Sequence, residues 1–172
     1  DGIHAVAAFD DQKARLFRLD QTGETITFSG HNAWVTSAIA SPDGLSVLTT
    51  SLDDTARIFR ANGQGAATIL RGGQGGVVRT GAWSADGMRI VTCSDDKTAR
   101  VWRVEGGTLE HEFLGHEDIL TNAAWSPDSR FVVTTSMDRT ARIWRTDGTG
   151  AAIVLKGHKQ GLIAAAWSAD GM

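Results

Sequence analysis

The sequence predicts an all-β fold in which four-stranded antiparallel sheets repeat radially, the architecture of a β-propeller. Three observations predict it. The 172 residues are one unit repeated at a period of 42 or 43 residues. Within a unit, short apolar runs alternate with turn chemistry, and 20 Gly against 2 Pro supply turns in number. No segment sustains a 3.6-residue apolar period long enough for a helix.

The repeat shows in three markers that keep one register. Ser41-Pro42-Asp43-Gly44 recurs as Ser84-Ala85-Asp86-Gly87, Ser126-Pro127-Asp128-Ser129 and Ser168-Ala169-Asp170-Gly171. Thr55-Ala56-Arg57-Ile58-Phe59 recurs as Thr98-Ala99-Arg100-Val101-Trp102 and Thr140-Ala141-Arg142-Ile143-Trp144, with an earlier copy at Lys13-Ala14-Arg15-Leu16-Phe17. Gly30-His31 recurs as Gly73-Gln74, Gly115-His116 and Gly157-His158.

Each element of a unit follows from its composition. Trp34 to Ala40 is an apolar first strand, closed by the Ser-Pro-Asp-Gly turn. Val47 to Ser51 is short and β-branched, Asp53-Asp54 turns the chain, and Thr55 to Arg60 returns as the third strand. Gly63-Gln64-Gly65 turns again before a fourth strand at Ala67 to Leu70. The chain is thus one unit over 1–172, with blades at 32–72, 75–114 and 117–156. A composite fourth blade takes its inner strand from 159–172 and its outer three from 1–29.

Both ends fall in the same hairpin, since Asp1-Gly2-Ile3 and Asp170-Gly171-Met172 each align with Asp43-Gly44-Leu45. Leu162 to Trp167 is therefore an inner strand without a following partner, and Ala5 to Phe28 supplies the other three strands. Unpaired edges are sticky, so the two halves are expected to join, within one chain as a four-blade ring or between two chains as an eight-blade ring with twofold symmetry. Small residues on the inner strands (Ala38, Gly81, Ala123 and Ala164 to Ala166) suit flat blade stacking and favour the homodimer.

In order, Gly-His, Ser-Pro-Asp-Gly and Thr-Ala-Arg-Ile-Trp resemble the WD40 repeat over essentially the whole chain. The dipeptide at the end of the third strand departs from Trp-Asp, being Trp102-Arg103 and Trp144-Arg145. The resemblance implies a non-enzymatic scaffold that binds a protein or peptide on one face of the ring. It also implies a structural hydrogen-bond network within each blade, from a His through a strand hydroxyl and a third-strand Trp to a turn Asp. The full set is His116, Thr134, Asp138 and Trp144. One unit has His31, Thr49 and Asp53 but Phe59 for Trp, and another has Thr92, Asp96 and Trp102 but Gln74 for His. The composite blade has His158 and Asp11, with Ala7 and Phe17 at the other two positions. Ser51, Ser94 and Ser136 lie two residues on, on the same strand face, and serve equally well as the hydroxyl.

Other chemistry finds little support. A formal charge of −3 and a pI near 5.9 argue against nucleic acid, and no apolar run is long enough to span a membrane. A single cysteine, Cys93, excludes an intrachain disulfide and a thiolate zinc cage and fits a reducing, cytoplasmic setting. The pairs Asp10-Asp11, Asp53-Asp54 and Asp95-Asp96 read as turns and not as a metal site, and Arg71 to Gly76 lacks the Gly-Lys-Ser/Thr of a phosphate loop. No cofactor is expected. Arg15, Arg57, Arg100 and Arg142 read as solvated or paired surface residues, and Trp83, Trp125 and Trp167 as recurrent packing positions.

Trp34 aligns with Val77, Ile119 and Gly161 at the mouth of the ring, where an exposed aromatic is a natural anchor for a partner. Asn32, Val77, Asp118, Ile119 and Lys159 share that face. The alternatives are a half-ring, natural or engineered, whose activity is self-assembly, and last a propeller hydrolase. A hydrolase needs converging charges, and the inner strands offer only Arg79.

Overall fold

The computed structural model describes residues 4–20, 23–72 and 75–171. Among the described residues fifteen strands form four antiparallel sheets. The first has three strands, β1 (His4–Ala8), β2 (Ala14–Arg18) and β3 (Ile26–Phe28). The second runs in order β4 (Val35–Ala40), β5 (Ser46–Ser51), β6 (Thr55–Arg60) and β7 (Thr68–Arg71). The third holds β8 (Val78–Trp83), β9 (Arg89–Ser94), β10 (Ala99–Arg103) and β11 (Leu109–Phe113). The fourth holds β12 (Leu120–Trp125), β13 (Phe131–Ser136), β14 (Ala141–Arg145) and β15 (Ile153–Leu155). One 3-10 turn at Glu105–Gly107 is the sole helical element among the described residues, and none is long and apolar enough to cross a membrane.

Every sheet is a meander, which hairpin connections of this length enforce. The turn after each inner strand is built the same way. Ser41 donates its hydroxyl to Asp43, whose carboxylate accepts the amide of Leu45 at 2.9 Å. The following residue is left-handed, Gly44 at φ 72° and Gly87 at φ 71°. Ser129 takes this conformation at φ 57°. It is held there from the third sheet and from its own: its hydroxyl accepts Ala85 N at 3.1 Å, and its carbonyl accepts Arg89 and, from the end of β14, Thr146, both at 3.0 Å.

The sheets stack face to face, with apolar clusters between the first and second, the second and third, and the third and fourth. Two recurrent devices bind neighbours. A tryptophan at the end of an inner strand donates its indole N–H to the inner strand of the preceding sheet: Trp83 to Ile39 O (3.1 Å), Trp125 to Ala82 O (3.1 Å) and Trp167 to Ala124 O (3.2 Å). Each inner strand also carries a β-bulge after its first residue, which re-aims one side chain. Thr36 uses this to donate to Val78 O in the next sheet at 2.7 Å, and Thr121 donates to Leu162 O at 2.7 Å. Close approach explains Gly81, where an added Cβ would lie 2.8 Å from Leu48 Cδ2 and 2.9 Å from Val91 O.

Leu162 to Trp167 runs along the fourth sheet, tied by Leu162 N to Ser136 O (3.0 Å), by Thr121 and by Trp167, and makes no strand ladder. Among the described residues β1 pairs only with β2.

Candidate functional site

The residues of interest gather where the chain leaves one sheet, passes the Gly-His loop and meets the β5–β6 or β13–β14 turn. These turns are tight because their second residue is left-handed, Asp54 at φ 64° and Arg139 at φ 69°. Asp53 folds back over its own turn and accepts Thr55 N (3.1 Å) and Thr55 Oγ1 (2.6 Å). Its other oxygen accepts Asn32 N and lies against His31 Nδ1, both at 2.9 Å. His31 Nε2 meets Thr49 Oγ1 at 2.7 Å.

The fourth sheet repeats this with one more member. Asp138 accepts Thr140 N (2.8 Å), Thr140 Oγ1 (2.7 Å) and Glu117 N (3.0 Å), and pairs with His116 Nδ1 at 2.7 Å. His116 Nε2 contacts Thr134 Oγ1 at 2.8 Å, and Trp144 Nε1 donates to the same hydroxyl at 2.8 Å. The indole can only donate, so Thr134 accepts from it, and the ionised Asp138 can only accept, so a neutral His116 places its proton on Nδ1 and its Nε2 accepts from Thr134. Burial lowers the pKa of both His31 and His116, outweighing the pull of the carboxylate beside each. Burial alone would raise Asp53, yet the donors from Thr55, Asn32 and His31 bring it down to about 2, and Asp138 is lowered for the same reason.

The structure decides which hydroxyl joins the histidine. It is the threonine, because Ser51, Ser94 and Ser136 have another task. Each donates to the loop before the inner strand, at Ala33 O (3.2 Å), Gly76 O (3.0 Å) and Asp118 O (3.0 Å). Each also accepts the amide of the turn Asp two residues on.

The third sheet uses a different partner for its carboxylate. Trp102 donates to Thr92 at 2.9 Å, and Asp96 caps Thr98, but Gln74 lies outside the described residues. Here Arg100 closes on Asp96 as an ion pair at 2.7 Å, without an aligned hydrogen bond, and reaches Glu112 at 2.8 Å. The recurring arginines are expected to be solvated or paired at the surface; Arg100 is paired but only 6% exposed, and two carboxylates compensate the burial. Arg57 and Arg142 belong to sheets whose Asp is engaged by a histidine, and their Nε atoms are buried without a hydrogen-bond partner. In the first sheet Asp11 is exposed and paired with Arg15. His158 is exposed beside the fourth sheet, and the chain does not bring it to Asp11.

The hydroxyl and the imidazole at the centre of this network are withdrawn from solvent. Thr134 is fully buried and His116 nearly so. The Cys93 thiol is likewise buried, and desolvation pushes its pKa up to about 12, which leaves it unreactive. The network instead clamps the loops above it. Trp34 O accepts Leu52 N, Val77 O accepts Asp95 N and Ile119 O accepts Met137 N, all at 3.0 Å. On that clamped face Trp34 is 59% exposed, Asn32, Asp118 and Lys159 are exposed, and Val77 and Ile119 are half-buried.

The sequence model for the WD domain, G-beta repeat, matches residues 23–60, 66–103 and 107–145. Each match begins with the last strand of one sheet and ends with the third strand of the next. The chain belongs to the WD40 family. No curated protein matches it. WD40 repeats indicate a propeller-type protein-interaction domain, and the family is in general one of scaffolds and not of enzymes. Sequence reasoning gave Trp83, Trp125 and Trp167 a packing role but missed their hydrogen bonds to the preceding sheet. It also missed the Arg100 substitution, for which Glu112, two strands' width from Asp96, was the available signal.

Two expectations follow for stability. Asp138→Ala leaves a buried histidine and three further donors without an acceptor and should cost about 1–3 kcal/mol. Trp144→Phe should cost clearly less, since Phe59 stands at the same position beside an intact His31–Thr49 contact. Urea unfolding separates them, and equal midpoints would contradict the assignment. The pH dependence has one sign. His31 and His116 titrate below their ordinary 6.5 when folded, so the unfolded chain binds more protons as pH falls. Stability should be full above pH 6.5 and decline below it, with the depressed aspartates adding a further loss below about 3.8. His116→Gln should flatten the decline between pH 7 and pH 5. An unchanged slope in the urea midpoint would show that this histidine is not its source.

Proposed function

We propose that the chain is a non-enzymatic interaction scaffold that takes a protein or peptide partner on the face of the Gly-His loops. The observation that carries this reading is Trp34, a large aromatic held 59% exposed on a loop whose backbone is fixed on both sides. Rigid aromatic anchors dominate interface energetics, and clamping removes the ordering cost of binding. A cytoplasmic setting suits the lone buried thiol. The test is selection of peptides from a display library on the intact chain. Selected peptides should bind Trp34→Ala at least tenfold more weakly, while the variant unfolds at the parent's urea midpoint. Undiminished binding would remove Trp34 as the anchor.

A second reading, self-assembly into an eight-blade ring from two copies, is favoured by the two end sheets. Leu155 is 45% exposed, although the equivalent Phe28, Leu70 and Phe113 are all buried. Leu162 to Trp167 has the length of an inner strand and lies in the position of one, and the first sheet has three strands where the others have four. In the proposed ring this segment of one copy adds to β1 of the other, twice by symmetry. Light scattering should then give twice the 18.3 kDa of the chain. A mass of 18.3 kDa well above micromolar concentration would sink the homodimer.

A further inference from the structure

We propose that the cleft between the first and second sheets is a binding site for a planar aromatic group of about the size of indole. The argument starts from a break in the repeat. Trp83, Trp125 and Trp167 occupy one position at the end of an inner strand, and Ala40 occupies it in the second sheet. The apolar side chains around that position are retained, while the inner-strand carbonyl that accepts the indole elsewhere has no counterpart among the described residues of the first sheet. Trp83 packs on a cluster containing Leu48, Ile58 and Ile90, with Val104 beside it. The equivalent residues one unit earlier are Val6, Leu16, Val47 and Ala61, and they line a cleft of about 410 Å³ together with Ile26 and Ala40. The walls that hold an indole elsewhere are thus present, and the indole is not part of the chain.

One further residue points to an aromatic occupant. Above Trp125 lies Arg89, its guanidinium 5.0 Å from the ring centroid, and against Trp167 lies Phe131 at 6.2 Å. Both stand at the start of the second strand of the preceding sheet. The residue at that position in the first sheet is His4, and it borders the cleft. An imidazole there can cover the ring face as the guanidinium and the phenyl do. The volume falls within the range of small-molecule sites, roughly 300–1,000 Å³. The cleft opens beside the Ser41–Gly44 turn, at the opposite end of β4 from Trp34, so it is separate from the face proposed above.

The test is a titration of the ¹⁵N-labelled chain with free indole and, in a second arm, with a hexapeptide carrying a central tryptophan. Saturable shifts should concentrate on the amides of Val6, Ala40 and Ala61. Ala40→Trp, whose own ring takes the space, should weaken binding at least tenfold, and Ala61→Phe blocks the opposite wall should the first variant not fold. Saturation by both probes supports a partner's side chain as occupant, and saturation by indole alone supports a free aromatic molecule. No saturable shift with either probe would overturn the proposal. So would shifts centred on Ile153 to Leu155, or affinity unchanged in both variants.

Discussion

A turn carboxylate with four donors around it is the interaction on which the rest depends. Asp53 and Asp138 each join the β-turn they sit in, the loop from the preceding sheet and, through a histidine, the second strand of their own sheet. Apolar contacts are non-directional and do not fix three pieces in one geometry. Because the carboxylate is partly desolvated, each donor is worth more than it would be in water. The apolar clusters between sheets supply most of the stability, and the carboxylates supply the geometry.

Histidine and arginine emerge as alternative answers to one electrostatic problem. Where His31 or His116 occupies the carboxylate, the nearby Arg57 or Arg142 makes no ion pair among the described residues and its buried Nε has no hydrogen-bond partner there. Where no histidine is seen, Arg100 moves onto Asp96 and recruits Glu112 on the neighbouring strand. The first arrangement is neutral on the histidine side and sensitive to acid. The second is an ion pair of one guanidinium with two carboxylates.

The architecture was legible because its signals repeat. A strand of six residues is ambiguous alone, but the Ser-Pro-Asp-Gly turn, the Asp turn and the apolar stretch between them recur at one period, and the structure shows antiparallel sheets at those places with no α-helix among the described residues. What repetition could not convey was the choice between side chains on one strand face. Thr49 and Ser51 are two residues apart and point the same way, and only the reach of the His31 ring, set by three-dimensional distance, separates them. The Arg100 ion pair was hidden for a related reason: a recurring arginine looks the same in sequence whether its aspartate is free or engaged. Trp34 was legible as an exception to its column, since an aromatic among Val77, Ile119 and Gly161 has no shared packing role to explain it.

The offset between the sequence unit and the sheet has a consequence for cooperativity. Residues 23–60, 66–103 and 107–145 each lend their first strand to one sheet and their next three to another. The unit that repeats in the sequence is therefore not a unit that can melt by itself. Losing one takes the outer strand from the sheet before it and three strands from its own, so a local opening is shared by two neighbours from the outset. In a one-dimensional array of this kind the nearest-neighbour coupling is covalent as well as interfacial. Partly unfolded chains with one repeat frayed and the rest intact should accordingly be scarce, and the array resists shortening by a single unit more than its separate-looking sheets suggest.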